Sequence, residues 1–218
     1  MMHKVISFSL WGNNPKYTVG AIENAKLALS IYPEWECKFY IGHSVPMNIV
    51  SQLVDLPNTV VERKEGDGDW TSMFWRFEAG YQSDTCIFRD TDSRLNWREK
   101  YAVDDWLNSD KTIHIMRDHP YHGYPILGGM WGYKNNGKYN LKEMLDSFQA
   151  TNEYGTDYLF LAKTIFQKTM YDHYVHDEFF EKYPFPKPRI GTEFVGDVFD
   201  EYNVRHPDYH KLIPCSNN

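Results

Sequence analysis

Three strand-like segments separated by two helical ones fill the first sixty residues, and this alternation constrains the chain more than any other feature. Lys4 to Leu10 (KVISFSL) offers Val5, Ile6, Phe8 and Leu10 for burial. The loop Trp11-Gly12-Asn13-Asn14-Pro15 follows, and Pro15 keeps the strand from continuing. Thr18 is the expected cap of a helix running to about Ile31, with Val19, Ile22, Ala25 and Leu29 in helical period. Pro33 ends that helix. Cys37 to Ile41 reads as a second strand, Pro46 to about Leu53 as a short helix and Thr59 to Glu62 as a third strand. Strand, helix, strand, helix, strand is the first half of a mononucleotide-binding α/β layer.

A fourth strand carries the chemistry. Thr85 to Phe88 are β-branched or apolar, and the run breaks into Arg89-Asp90-Thr91-Asp92. In an open α/β sheet, ligands collect beyond the carboxyl ends of strands. Two carboxylates there offer hard oxygen ligands to Mg²⁺ or Mn²⁺, which in turn hold substrate phosphates. The alternative is that both are turn residues capping backbone N–H groups.

Residues 65–70 read as a mobile acidic loop, and Thr71 to Tyr81 as a helix with Met73, Phe74 and Phe77 on one side and Arg76 near the other. A helix from Trp97 to Leu107 and a strand from Lys111 to Met116 follow. Gly128 and Gly129, ahead of Met-Trp-Gly, mark either a strand whose backbone is closely approached or a bulged edge. Lys142 to Gln149 and Asp157 to Tyr171 are predicted helices, the second with Thr156 as its cap. The tail from residue 184 has few periodic features and carries Asp197, Asp200, His206 and His210.

The net charge of −7 argues against a general nucleic-acid or anionic-membrane binder, so an anionic nucleotide would need a metal or a local Arg/Lys set. Aromatic residues, 17% of the chain, suit both cores and the apolar faces of sugars and bases. No apolar run reaches membrane-spanning length, and no signal peptide is visible ahead of the first strand. Cys37, Cys86 and Cys215 are widely spaced, Cys37 and Cys86 lie in apolar runs, and no CxxC occurs, so a reducing, cytoplasmic compartment is expected.

Five stretches in this order, SLWGNNPKY, FWRFEAGY, FRDTDSR, PILGGMWGYK and YGTDYLFL, resemble nucleotide-sugar glycosyltransferases of the GT-A fold. More narrowly they resemble the small glycosyltransferase domain encoded by large chlorella viruses, for which the compartment would be the host cytosol. The resemblance spans residues 9–161. It implies a single α/β, Rossmann-related GT-A-like domain over 1–218 with a mixed central sheet flanked by helices. About 1–94 would bind nucleotide and about 95–218 the acceptor. The implied activity is metal-dependent transfer of a hexosyl or deoxyhexosyl group from a UDP-sugar to a glycan hydroxyl.

The same resemblance implies residue roles. Asp92 would ligate Mn²⁺ or Mg²⁺, and Asp90 the metal or the ribose. Leu10 and Trp11 would hold the nucleoside, unless Trp11 only packs the sheet edge. Arg76 would reach the diphosphate or donor sugar, unless it pairs with Glu78 or another surface acid. Gly128 and Gly129 would let backbone approach the donor sugar. Asp157 would be the catalytic base, unless it only favours its helix dipole. His206, then Asp197, would complete the metal site, and His119 and His122 in their Pro-containing loop could meet phosphate or acceptor. A non-enzymatic carbohydrate-binding module would not need the nucleotide half. A haloacid-dehalogenase-type phosphatase wants the acidic pair at its first strand, with Thr or Val where Arg94 stands. The ending Pro214-Cys215-Ser216-Asn217-Asn218 is compatible with a cut in a longer polypeptide carrying further domains.

Overall fold

β1 (Lys4–Leu10) is buried along all but its first residue, because it has a strand on each side and helices over both faces. Its side chains alternate. Ile6, Phe8 and Leu10 face α1 (Pro15–Ile31), while Ser7 and Ser9 face the segment Trp70–Glu78. The computed structural model describes residues 2–213, so Cys215 lies outside the described residues.

β2 (Glu36–Ile41), α2 (Met47–Val54) and β3 (Thr59–Arg63) follow as the alternation predicts. After α3 (Ala79–Gln82) come β4 (Thr85–Arg89), α4 (Trp97–Leu107), β5 (Ile113–Arg117) and β6 (Met130–Lys134). Two short helices, α5 (Leu141–Asp146) and α6 (Thr156–Phe160), precede β7 (His173–Asp177). The seven strands form one mixed sheet in the order β3-β2-β1-β4-β6-β5-β7. Only β6 runs antiparallel to its neighbours β4 and β5; the other pairings are parallel. One face packs on α1, α2 and α4, the other on Trp70–Glu78, α5 and α6.

Several local expectations change. Asn14, not Thr18, caps α1: its side chain accepts from Lys16 N, and Pro15 takes the first helical position, where a missing N–H costs nothing. The predicted 71–81 helix is a 3₁₀ segment, Trp70–Glu78, running into α3. The serines of β1 explain this. Ser9 Oγ accepts from Arg76 N at 3.0 Å and Ser7 Oγ donates to Arg76 O at 2.7 Å, so the groups an α-helical ladder would use are engaged elsewhere. Gly155, at φ +85°, precedes α6 in place of a Thr156 cap, and α6 passes after one turn into a π-helical stretch, Leu161–Phe166. The 65–70 loop is tied down, with His43 N donating to Gly66 O and Asp69 forming a capping box with Ser72. β7 has no counterpart in the predicted elements.

The tail is stitched to the sheet with little regular structure beyond a 3₁₀ turn at His210–Leu212. Val195 N donates to the buried Asp118 carboxylate. Val198 bridges Ser93, and Phe199 N donates to Asp92 O at 2.8 Å. Cys37 and Cys86 are free, buried thiols, as expected, and burial pushes Cys37 up to about 12.

Candidate active site

The strand order reverses between β1 and β4, so the loops leaving Leu10 and Arg89 open side by side at the carboxyl edge of the sheet. A cleft of about 790 Å³ occupies this point. Its walls are the 9–17 segment, Asp90 to Ser93, Leu127 to Met130, the aromatics Trp70, Tyr154 and Tyr158, and Phe194, Gly196, Val198 and Tyr209 of the tail.

Alternation along β4 decides where each carboxylate points. Arg89 turns to the α4 side and pairs with Glu99 at 2.7 Å, so Asp90 faces the opposite side, toward Trp70–Glu78. There Arg76 lies buried with one guanidinium nitrogen on Asp90 and the other 3.0 Å from Asp157 Oδ2. Arg76 therefore does not pair with Glu78, which bonds Lys64 instead. Asp92 takes Lys16 Nζ at 2.8 Å, from the first turn of α1. Burial and the neighbouring Asp90 charge push the Asp92 carboxyl up, with Lys16 opposing. Burial works against the Lys16 ammonium too, but Asp92 outweighs it and holds that group above its ordinary value.

The two glycines are approached by side chains from below. A Cβ on Gly129 would stand 2.0 Å from Asp90 Oδ2, and one on Gly128 would stand 2.3 Å from Asp157 Oδ2 and 2.4 Å from an Arg76 nitrogen. Both backbones also line the cleft, so these positions must be bare on two accounts.

Asp157 lies behind the cleft wall. Its side chain is 0% exposed, and it is not among the residues lining the cleft. Burial pushes its carboxyl up, Arg76 pulls it down and Asp90 adds to the rise. A general base must reach the proton it takes. Here the carboxylate sits behind Arg76 and Gly128, and its contacts are those of a group that fixes the guanidinium.

The tail residues also sort. His206 stacks on Tyr209 at 4.0 Å and does not line the cleft, and the Asp197 carboxylate is taken by Arg205. Among the described residues no group of three or more His, Cys, Asp or Glu side chains converges to hold a metal. The predicted third ligand is thus not brought to the Asp90/Asp92 pair. The pair alone still suits Mg²⁺ or Mn²⁺, which bind through one or two carboxylates and complete their shells with water and phosphate oxygens. His119 and His122 lie in a turn, as Pro120 requires, and both line the cleft.

Trp11 lines the cleft and meets Trp70 edge-on. The aromatic contacts continue from Trp70 to Tyr154, Tyr154 to Tyr158 and Tyr158 to Tyr124, a chain of five rings along one wall. Two supports of the acidic loop escaped the sequence pattern. Asn24, buried within α1, donates to Ser93 O and accepts from Leu95 N, and Gly20 lets α1 approach so closely that a Cβ would stand 1.9 Å from Thr91 O. A lone Asn among the small residues of an apolar helix face was the available signal. Lys16 was visible too, five residues past Trp11.

The fold and the paired-carboxylate cleft define the class: this is the GT-A fold of glycosyltransferases. No protein-family model matches the chain, and no curated protein matches it. Among solved structures it is similar to a glycosyltransferase involved in the glycosylation of the major capsid of the chlorella virus PBCV-1. That likeness has 16% identity and a TM-score of 0.52, over 81% of this chain and 82% of that one. It is also similar to S. aureus TarS (residues 1–349) in complex with UDP, at 12% identity and TM-score 0.54, over 81% of this chain and 58% of that one. A third likeness is to glucosyl-3-phosphoglycerate synthase from Mycobacterium tuberculosis with Mn²⁺, UDP and glucosyl-3-phosphoglycerate. It has 12% identity and TM-score 0.53, over 80% and 69% of the two chains.

Proposed function

We propose that this chain is a glycosyltransferase that moves a hexosyl or deoxyhexosyl group from a UDP-sugar to a hydroxyl of a glycan, with Mn²⁺ or Mg²⁺ as cofactor. The observation that carries this reading is the Asp90/Asp92 pair, set between Arg76 and Lys16 at the switch point of the sheet. In a chain of net charge −7, two cations and two carboxylates at one cleft wall suit a nucleotide diphosphate and a divalent cation. The similar TarS and phosphoglycerate-synthase structures, which hold UDP or UDP with Mn²⁺, support the same donor and metal.

Asp90 and Asp92 would hold the cation, which supplies Lewis-acid charge at the diphosphate as the nucleotide leaves. Arg76 contributes a fixed positive charge at the cleft floor, and among the described residues its Nε has no hydrogen-bond partner, leaving one N–H unsatisfied. Asp157 holds that guanidinium in place. The 1–94 half, with Leu10 and Trp11, receives the nucleoside, while Gly128 and Gly129 face the donor sugar. The exposed rings of Tyr154 and Tyr124 offer stacking surface to the acceptor sugar.

Calorimetric titration of UDP with Mn²⁺, and again with EDTA, tests this reading. Metal-dependent binding followed by release of sugar from one of a panel of UDP-sugars is expected. Absence of binding under both conditions would overturn it.

A further inference from the structure

Both candidate metal ligands already have a cation, and the two cations differ in their freedom to leave. Arg76 is 3% exposed and anchored by Asp157 on the side away from Asp90. Lys16 is 31% exposed, its ammonium has Asp92 as its ion-pair partner, and it projects from the first turn of α1 into the cleft. Its four-carbon stem lets the ammonium swing while the backbone stays fixed. The helix itself cannot follow, since Gly20 is pressed against Thr91 and Asn24 bonds the backbone of Ser93.

A divalent ion arriving alone would have to displace Lys16 from Asp92 and leave the ammonium next to a dication. Arrival of a diphosphate alone would find Lys16 committed to Asp92. Arriving together, the ion takes the carboxylate and the diphosphate takes the ammonium, so every charge keeps a partner. We propose that Lys16 is an exchangeable counter-ion, held by Asp92 in the free protein and passed to a diphosphate oxygen when a divalent cation binds. It thereby makes cation and nucleotide binding interdependent. This rests on the donor reading above but goes beyond it, because Lys16 sets the coupling and Asp90 and Asp92 set the site.

Coupling of this kind is reciprocal, so each ligand must tighten the other by the same factor. Mn²⁺ binding to the whole chain, followed by electron paramagnetic resonance with and without UDP, reads it directly. For the wild type, UDP is expected to tighten Mn²⁺ binding roughly tenfold or more. Lys16→Met should bind Mn²⁺ alone several-fold more tightly and lose most of the UDP enhancement, whereas Lys16→Arg, which keeps the charge, should retain it. Equal Mn²⁺ affinity with and without UDP in the wild type would overturn the proposal. So would an enhancement that survives unchanged in Lys16→Met. In those two cases UDP and Mn²⁺ still bind and the donor reading stands; a wild-type chain that binds neither overturns both.

Discussion

Arg76 and Asp157 form an ion pair at 3.0 Å with both side chains closed off from solvent, and the same guanidinium reaches Asp90 at the cleft. Asp157 thus meets the cleft wall through Arg76. Removing Asp157 leaves the buried guanidinium with Asp90 as its one carboxylate partner, so Asp157→Ala should cost about 1–3 kcal/mol in chemical denaturation. Asp157→Asn keeps an oxygen for the guanidinium and should retain most transferase activity. A general base replaced by an amide would instead lose about 10²–10⁴-fold, so the activity of this one variant separates the two roles.

Asp92→Asn should abolish the metal-dependent part of UDP binding with little change in melting temperature, since Asp92 lies at the cleft wall and not in the core. Titration of UDP in Mn²⁺ and in EDTA checks this. An unchanged difference between the two conditions would remove Asp92 from the metal site.

Gly129→Ala would place a methyl 2.0 Å from Asp90 Oδ2. The carboxylate has to swing away from Arg76, at a stability cost of about 1–3 kcal/mol. UDP affinity should fall sharply while far-ultraviolet circular dichroism stays as in the wild type.

Burial holds His122 down at about 3, against 6.5 when unfolded, and its Nδ1 accepts from Asp118 N. A depressed folded value means the unfolded chain takes the proton first as pH falls. The contribution of His122 is complete above about 6.5 and is lost progressively toward 3. His114, His119, His173 and His176 are also lowered by burial and add slopes of the same sign. Melting temperature should thus drop as pH falls below 6.5, and His122→Asn, which keeps an acceptor for Asp118 N, should flatten the drop.

The strands and helices of the first half were legible because each strand is a compact apolar run ending in a turn residue, as at Leu10 and Arg89. The acidic pair was legible for the same reason. Arg76 was misplaced because a 3.6-residue period sets it about 100° from Phe77 and nearly opposite Phe74, at the margin of the apolar face. In the 3₁₀ segment residues three apart eclipse, so Met73 and Arg76 are buried together. The depth of Asp157 depends on the bare backbone at Gly128, 29 positions away, which no local pattern encodes. β7 is hidden because His173, Tyr174 and His176 read as polar. Pairing with β5 buries His176, which then bonds His114 at 2.9 Å.

The brace from Phe199 to the Asp92 carbonyl has a consequence for the order in which the molecule comes into being. A ribosome has delivered every strand among the described residues once Asp177 has emerged, and N-terminal parts fold first during synthesis. The acidic loop waits for some twenty further residues before its backbone is pinned. The backbone brace on the acidic loop therefore depends on residues that leave the ribosome after the sheet is already complete.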